Sequence, residues 1–206
     1  MMTGENMSTV NSHYAGYNVL NRMDEWDSHT KEIVRRRLGP FPERQFLSER
    51  EWAYLSIIAE HIVYDNRADI IEWIVHHCDR KFADETGEGE RKKGIPPEKI
   101  LIREGLKALD HAARLSYGCD FGGLDVEQQF QLLADLQQGK AAHIPQWSLV
   151  PQKALFNKLA SEMVSAYYSH PAVWSEIGYG GPMYPQIYVR IEEGLVEPWE
   201  ARRNGK

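Results

Sequence analysis

An all-α domain is the fold class this sequence predicts, and three observations carry the prediction. Apolar residues recur at spacings of three and four along five segments. Helix-start and helix-stop residues punctuate those segments. No stretch shows strand alternation bounded by hairpin turns, and no repeat of fixed period is visible. The expected architecture is a bundle of about five helices. An extended N-terminal arm occupies 1–45, the helical domain 46–170, and an irregular tail rich in aromatics, Gly and Pro 171–206, as part of the same domain. A chain of 206 residues can bury such a core without disulfides or metals.

The arm is polar and sprinkled with aromatics, with one short helix expected around Glu32 to Leu38. Ser48-Glu49-Arg50-Glu51 then reads as a capping box, flanked by Leu47 and Trp52 as a hydrophobic staple. Trp52, Leu55, Ala59 and Ile62 give the first long helix one apolar face. A second helix is expected from near Asn66, burying Ile71, Ile74, Val75, Cys78 and Phe82. It ends in the polar, glycine-bearing stretch Glu85 to Gly94. Pro96-Pro97 suits a helix entry. The third helix carries Ile102, Leu106, Leu109 and Ala113 and stops at Gly118. The fourth starts at Asp125 with Gln128 as its capping partner, turns Phe130, Leu133 and Leu136 inward, and closes at Gly139. The fifth runs from about Pro151 to Tyr168 on a stripe of Leu155, Leu159, Met163 and Tyr167, and Pro171 ends it.

Charge and cysteine usage narrow the function classes. A net charge of −6 and a pI near 5.8 argue against nucleic acid as the main partner. The one basic cluster, Arg35-Arg36-Arg37, reads most simply as a solvated helix face. Cys78 and Cys119 form neither a disulfide framework nor a zinc pattern, and reduced, buried thiols are expected. No secretory or twin-arginine signal and no membrane-spanning apolar run is visible, so a cytoplasmic location is the expectation.

Few residues look catalytic. His76-His77-Cys78 are consecutive on a helix, point about 100° apart, and cannot together grip one metal. His77 is expected beside the apolar stripe and His76 beside the solvent face. Asp110 and His111 are neighbours on one helix and do not face each other. No strained nucleophile turn accompanies them. Glu104 and Asp110 suit ion pairing with Arg103 or Arg114 better than general acid–base work. Gly178-Tyr179-Gly180-Gly181 is no dinucleotide loop, because no strand precedes it, prolines follow, and no Walker lysine is present. Thus no catalytic, cofactor-binding or metal-binding residue is assigned.

The C-terminal aromatics are more informative. Tyr167, Tyr168, Trp174, Tyr179, Tyr184, Tyr188 and Trp199 follow one another over a short, irregular stretch. Tyr and Trp supply large, rigid contact area with a polar tip. Two readings stand open: the tail covers the chain's own helices, or it covers a partner.

Three ordered stretches carry a resemblance to a known family. They are "FLSEREWAYLSIIAEHIV" (Phe46 to Val63), "REGLKALDHAARLSYGCDFGGLDVEQQFQLLADLQQG" (Arg103 to Gly139) and "LFNKLASEMVSAYYSHPAVWSEIGYGGPMYP" (Leu155 to Pro185). Together they resemble subunit 3 of the membrane-type gluconate 2-dehydrogenases. No single motif is specific; the ordered set is. The resemblance implies a non-catalytic small subunit of a glucose–methanol–choline-type flavin dehydrogenase. Its large subunit would hold FAD and oxidise a sugar or sugar acid, and a cytochrome subunit often takes the electrons. Two departures are the lack of a twin-arginine signal and the segment "YDNRADIIEW", where many relatives carry a proline-bearing loop. Docking to the flavoprotein is expected through Trp174, Tyr179, Gly180, Gly181, Pro182 and Tyr184. The alternatives are a stand-alone helical binding module, or an independent enzyme using His77, Asp110 or His111.

Overall fold

The computed structural model describes residues 12–84, 92–182 and 200–202. Among these residues the fold is all-α, with seven α-helices and no strand. They are α1 (Ser28–Arg35), α2 (Glu49–Val63), α3 (Ala68–Ala83), α4 (Glu98–Tyr117), α5 (Val126–Gln138), α6 (Gln152–Tyr167) and α7 (Pro171–Ile177). Short 3-10 turns occupy Val19–Glu25, Phe121–Gly123 and Pro145–Ser148.

Both expected capping boxes form. Ser48 Oγ accepts from the Glu51 N–H while the Glu51 carboxylate accepts from the Ser48 N–H. Asp125 and Gln128 do the same at the start of α5. Gly118 and Gly139 close α4 and α5 in the left-handed conformation, so both stop signals act as expected.

Helix α6 is the hub: it packs against α2, α3, α4 and α5. Its stripe of Leu155, Leu159, Met163 and Ala166 is sealed inside the main core. Helix α4 comes close to α6 at Gly105, where an added Cβ would meet Leu155 Cδ1 at 2.5 Å. A side chain at 105 would push the two helices apart, so the residue type follows from the helix–helix distance.

One buried carboxylate fixes how the arm enters α2. Asp79 is 0% exposed and accepts from three consecutive backbone N–H groups, those of Gln45 (2.7 Å), Phe46 (2.9 Å) and Leu47 (2.7 Å). Three donors around one carboxylate offset much of the cost of burying it. The arm is thereby tied to α3 just before the Ser48 cap.

Three expectations need correction. Phe130 does not face inward: it is 60% exposed. The buried stripe of α5 is Gln129, Leu132, Leu133 and Leu136, and Phe130 lies one residue, roughly 100°, round from Gln129. The two histidines of α3 are reversed. His76 is buried between the rings of Phe41 and Trp52, whose centroids lie 4.5 and 4.6 Å away, and His77 is the half-exposed one. The cause is the arm, which brings Phe41 onto a helix face that periodicity alone leaves to solvent. Finally, Pro171 ends α6 and also begins α7, as its first residue. The start of the expected irregular tail is therefore helical. Beyond it, residues 183–199, with Tyr184, Tyr188 and Trp199, lie outside the described residues.

Candidate functional site

The arm and the Gly178–Gly181 turn form one unit around a second, smaller apolar cluster. Val19, Trp26, Val34 and Trp174 are its buried members. Trp174 comes from α7, and its Nε1–H donates to the Tyr168 carbonyl at 2.6 Å. The Arg37 guanidinium lies 5.1 Å from the Trp174 ring and donates to the Ser169 carbonyl at 2.7 Å. Burial lowers the Arg37 pKa, and the guanidinium still carries its charge at neutral pH. Thus one arginine of the "RRR" cluster packs on a tryptophan, while Arg36 pairs with Glu32 on the helix surface.

Glycines make this contact possible. Gly178 (φ +75°) lies where an added Cβ would sit 2.5 Å from Tyr14 Cε2. Gly181 (φ +85°) stands in the same relation to Trp26 Cζ2, also 2.5 Å. Both need the left-handed region and both need the missing Cβ. Backbone bonds complete the seam: the Val19 N–H donates to Ser175 Oγ (3.1 Å), and Ser12 Oγ–H donates to the Glu176 carbonyl (2.9 Å).

The six residues of the expected docking turn fall into different places. Trp174, Gly180 and Gly181 are buried against the chain's own arm and helices. Pro182 is half-buried. Tyr179 is 40% exposed, with its ring edge-on to Trp174 at 5.3 Å. Tyr184 lies outside the described residues. Tyr168, 54% exposed, presents a second tyrosine beside the same turn.

A polar clamp holds α7 against the α2–α3 junction. Arg67 bridges the carboxylates of Asp65 and Glu176, and Tyr167 Oη–H donates to Asp65 Oδ2 at 3.2 Å. The hydrogen bond to Asp65 is the chief cause that raises the Arg67 pKa above its ordinary value. Burial opposes ionisation of Asp65, but the Arg67 bonds outweigh it and its pKa is lowered. Burial pushes the Tyr167 hydroxyl up to about 12.

The residues considered for chemistry are separately engaged. Asp110 accepts from Tyr54 Oη–H (2.6 Å), the Phe121 N–H (3.1 Å) and both Arg50 (2.9 Å) and Arg114 (3.2 Å). Burial works against its charge, yet these donors lower its pKa. Burial, with the Asp110 bond, raises the Tyr54 hydroxyl to about 12. His111 is exposed on the same helix. His77 Nε2 lies 3.5 Å from Glu162, whose carboxylate is also held by Lys158 at 2.9 Å. Burial holds the His77 pKa below its ordinary value. His77, Asp110 and His111 make no hydrogen bond to one another. Glu104 pairs with Lys107, and Arg103 donates to the Phe46 carbonyl.

Cys78 is buried, Cys119 is half-buried, and both thiols are free. Burial raises the Cys78 pKa, which keeps it a protonated, unreactive thiol. Among the described residues no group of three or more His, Cys, Asp or Glu could hold a metal ion. No described helix is long and apolar enough to cross a membrane.

Sequence reasoning missed Tyr54, Arg67 and His170. Arg67 and His170 stand outside the helical stripes, in short junctions, so periodicity carried no signal for them. Tyr54 lies one position from Leu55 on α2, and only its hydroxyl's distance to Asp110 distinguishes it.

No curated protein and no solved structure matches the chain. The family model described as gluconate 2-dehydrogenase subunit 3 matches residues 49–181, from the first residue of α2 through the Gly178–Gly181 turn. That span holds six of the seven helices and leaves out residues 1–48 and 182–206, and on it the chain belongs to the gluconate 2-dehydrogenase subunit 3 family.

Proposed function

We propose that this chain is a non-catalytic small subunit that binds and stabilises an FAD-dependent sugar or sugar-acid dehydrogenase. The observation that carries the reading is the family match over 49–181, which spans nearly the whole helical core. The separate engagement of His77 and Asp110, each in its own ion pairs, supports it too. The flavin would reside in the partner, together with the substrate site.

The docking turn is read as a preformed surface. Trp174, Gly180 and Gly181 form its buried foundation, and Tyr179 and Pro182 its outward part. Anchoring by Trp26 and Tyr14 fixes the turn before a partner arrives, which reduces the entropy lost on docking. Exposed Tyr168 adds contact area at the same end. A cytochrome subunit, where present, would bind the flavoprotein.

The test is co-expression of this chain with a flavin dehydrogenase from the same genome, followed by purification on a tag carried by the flavoprotein. A stoichiometric complex is expected. Elution of the flavoprotein alone would overturn the reading.

A further inference from the structure

A cleft of about 440 Å³ separates residues 12–20 of the arm from α7 and the first turn of α3. It is open to solvent, and exposed Leu38 stands on its wall. Tyr14 and Tyr17 also line it.

Two polar groups on this wall, His170 Nε2 and the Asp69 carboxylate, make no hydrogen bond or ion pair among the described residues. His170 is only 2% exposed, yet it lines the cleft. Its Nδ1 accepts from the Ala172 N–H at 3.2 Å, so in the neutral ring the proton sits on Nε2. Burial holds the His170 pKa low, and Asp69 nearby pulls the other way without overcoming it. Nε2–H is thus a donor with no acceptor among the described residues. Asp69, in the first turn of α3, is exposed and makes no hydrogen bond or ion pair among the described residues. The other cleft carboxylate, Glu176, is already taken by Arg67.

We infer that this cleft seats a segment of the partner subunit that carries a lysine or arginine. The inference rests on the accessory-subunit reading above. A backbone carbonyl of that segment accepts from His170 Nε2–H, and its cationic side chain meets Asp69. Charge complementarity selects this occupant: an anion would face Asp69 without compensation, and a purely apolar segment would leave the buried His170 donor unpaired. An open cleft with an exposed leucine at its wall suits a polypeptide better than a small molecule, whose sites enclose most of their ligand.

The experiment compares wild type with Asp69→Lys and Asp69→Asn for binding to the co-expressed flavoprotein, by titration at low and moderate salt. Circular dichroism and melting of each free chain establish that it is folded. A loss of affinity of about tenfold or more in Asp69→Lys, a smaller loss in Asp69→Asn, and a wild-type affinity that falls with salt would support the inference. Equal affinities for all three would overturn it while leaving the accessory-subunit reading intact. No binding by wild type would overturn both. Saturable binding of a neutral polyol such as sorbitol to the free chain, lost in Asp69→Asn, would overturn it by making the cleft a small-molecule site.

Discussion

Gly181 lies against the edge of Trp26, so close that a methyl group at 181 would stand 2.5 Å from Cζ2 of the indole. This contact joins the C-terminal turn to the arm, two segments far apart in sequence. Gly181→Ala is both overpacked and held at φ +85°. It should lower stability by about 1–3 kcal/mol. The loss should be local: hydrogen exchange should quicken in residues 14–26 and in α7 while α4 and α5 keep their protection. Uniform protection in the variant would contradict the contact.

Asp79 should be among the most sensitive polar positions. Asp79→Ala leaves three backbone N–H groups without their acceptor, that of Leu47 in a fully buried site. The expected cost is about 2–4 kcal/mol, since each buried donor left without an acceptor costs about 1–3 kcal/mol and the less buried ones recover part of it from water. Asp79→Asn keeps one acceptor oxygen and should fall between. Urea unfolding of the three proteins checks the order.

Phe130 and Leu133 should part company, although both were expected to face inward. Phe130→Ser should change stability by about 0.5 kcal/mol or less, as is usual for exposed positions. Leu133→Ala should cost about 2–5 kcal/mol because it opens a cavity in the core. Equal losses would restore the inward-facing assignment.

Acid should destabilise the fold in two stages. His76, His77 and His170 have pKa values held below 6.5 by burial. The unfolded chain therefore takes up protons first as pH falls through 6.5, and stability declines from there. Asp65, Asp110 and Glu162 have lowered pKa values, with burial opposed and outweighed by their donors. Their contribution is present above the unfolded carboxylate values and is lost as pH falls through the lower folded ones. His76→Phe should flatten the first stage, since it removes one titrating group and the buried Nδ1 that lacks a partner. Urea midpoints between pH 7.5 and 5 measure the slope.

How far the sequence was legible depended on how local each determinant is. Ser48, Asp125, Gly118 and Gly139 act on their own helix ends, and each was readable where it stands. The stripe from Leu155 to Met163 was equally plain, because every member follows one period. What escaped is set by residues far apart in sequence. His76 is buried by Phe41 from the arm, and Gly181 is explained only by Trp26. Phe130 was misplaced because a step of three residues can drift off a stripe that Gln129, a polar residue, completes through bonds to His61 and the Leu124 carbonyl. Within the candidate docking turn, the concentration of aromatics and glycines was legible. Which of them face outward was not, because Trp174 turns in to meet an arginine and an arm that no local pattern announces.

As an accessory subunit, this chain should stabilise its flavoprotein by binding it. This is measured as the melting temperature and flavin occupancy of the flavin dehydrogenase, alone and with this chain in stoichiometric amount. Binding to the native flavoprotein only must raise its melting temperature, increasingly so with concentration. A raised melting temperature and retained flavin are the expected result, and an unchanged melting curve with no co-eluting complex would contradict the claim.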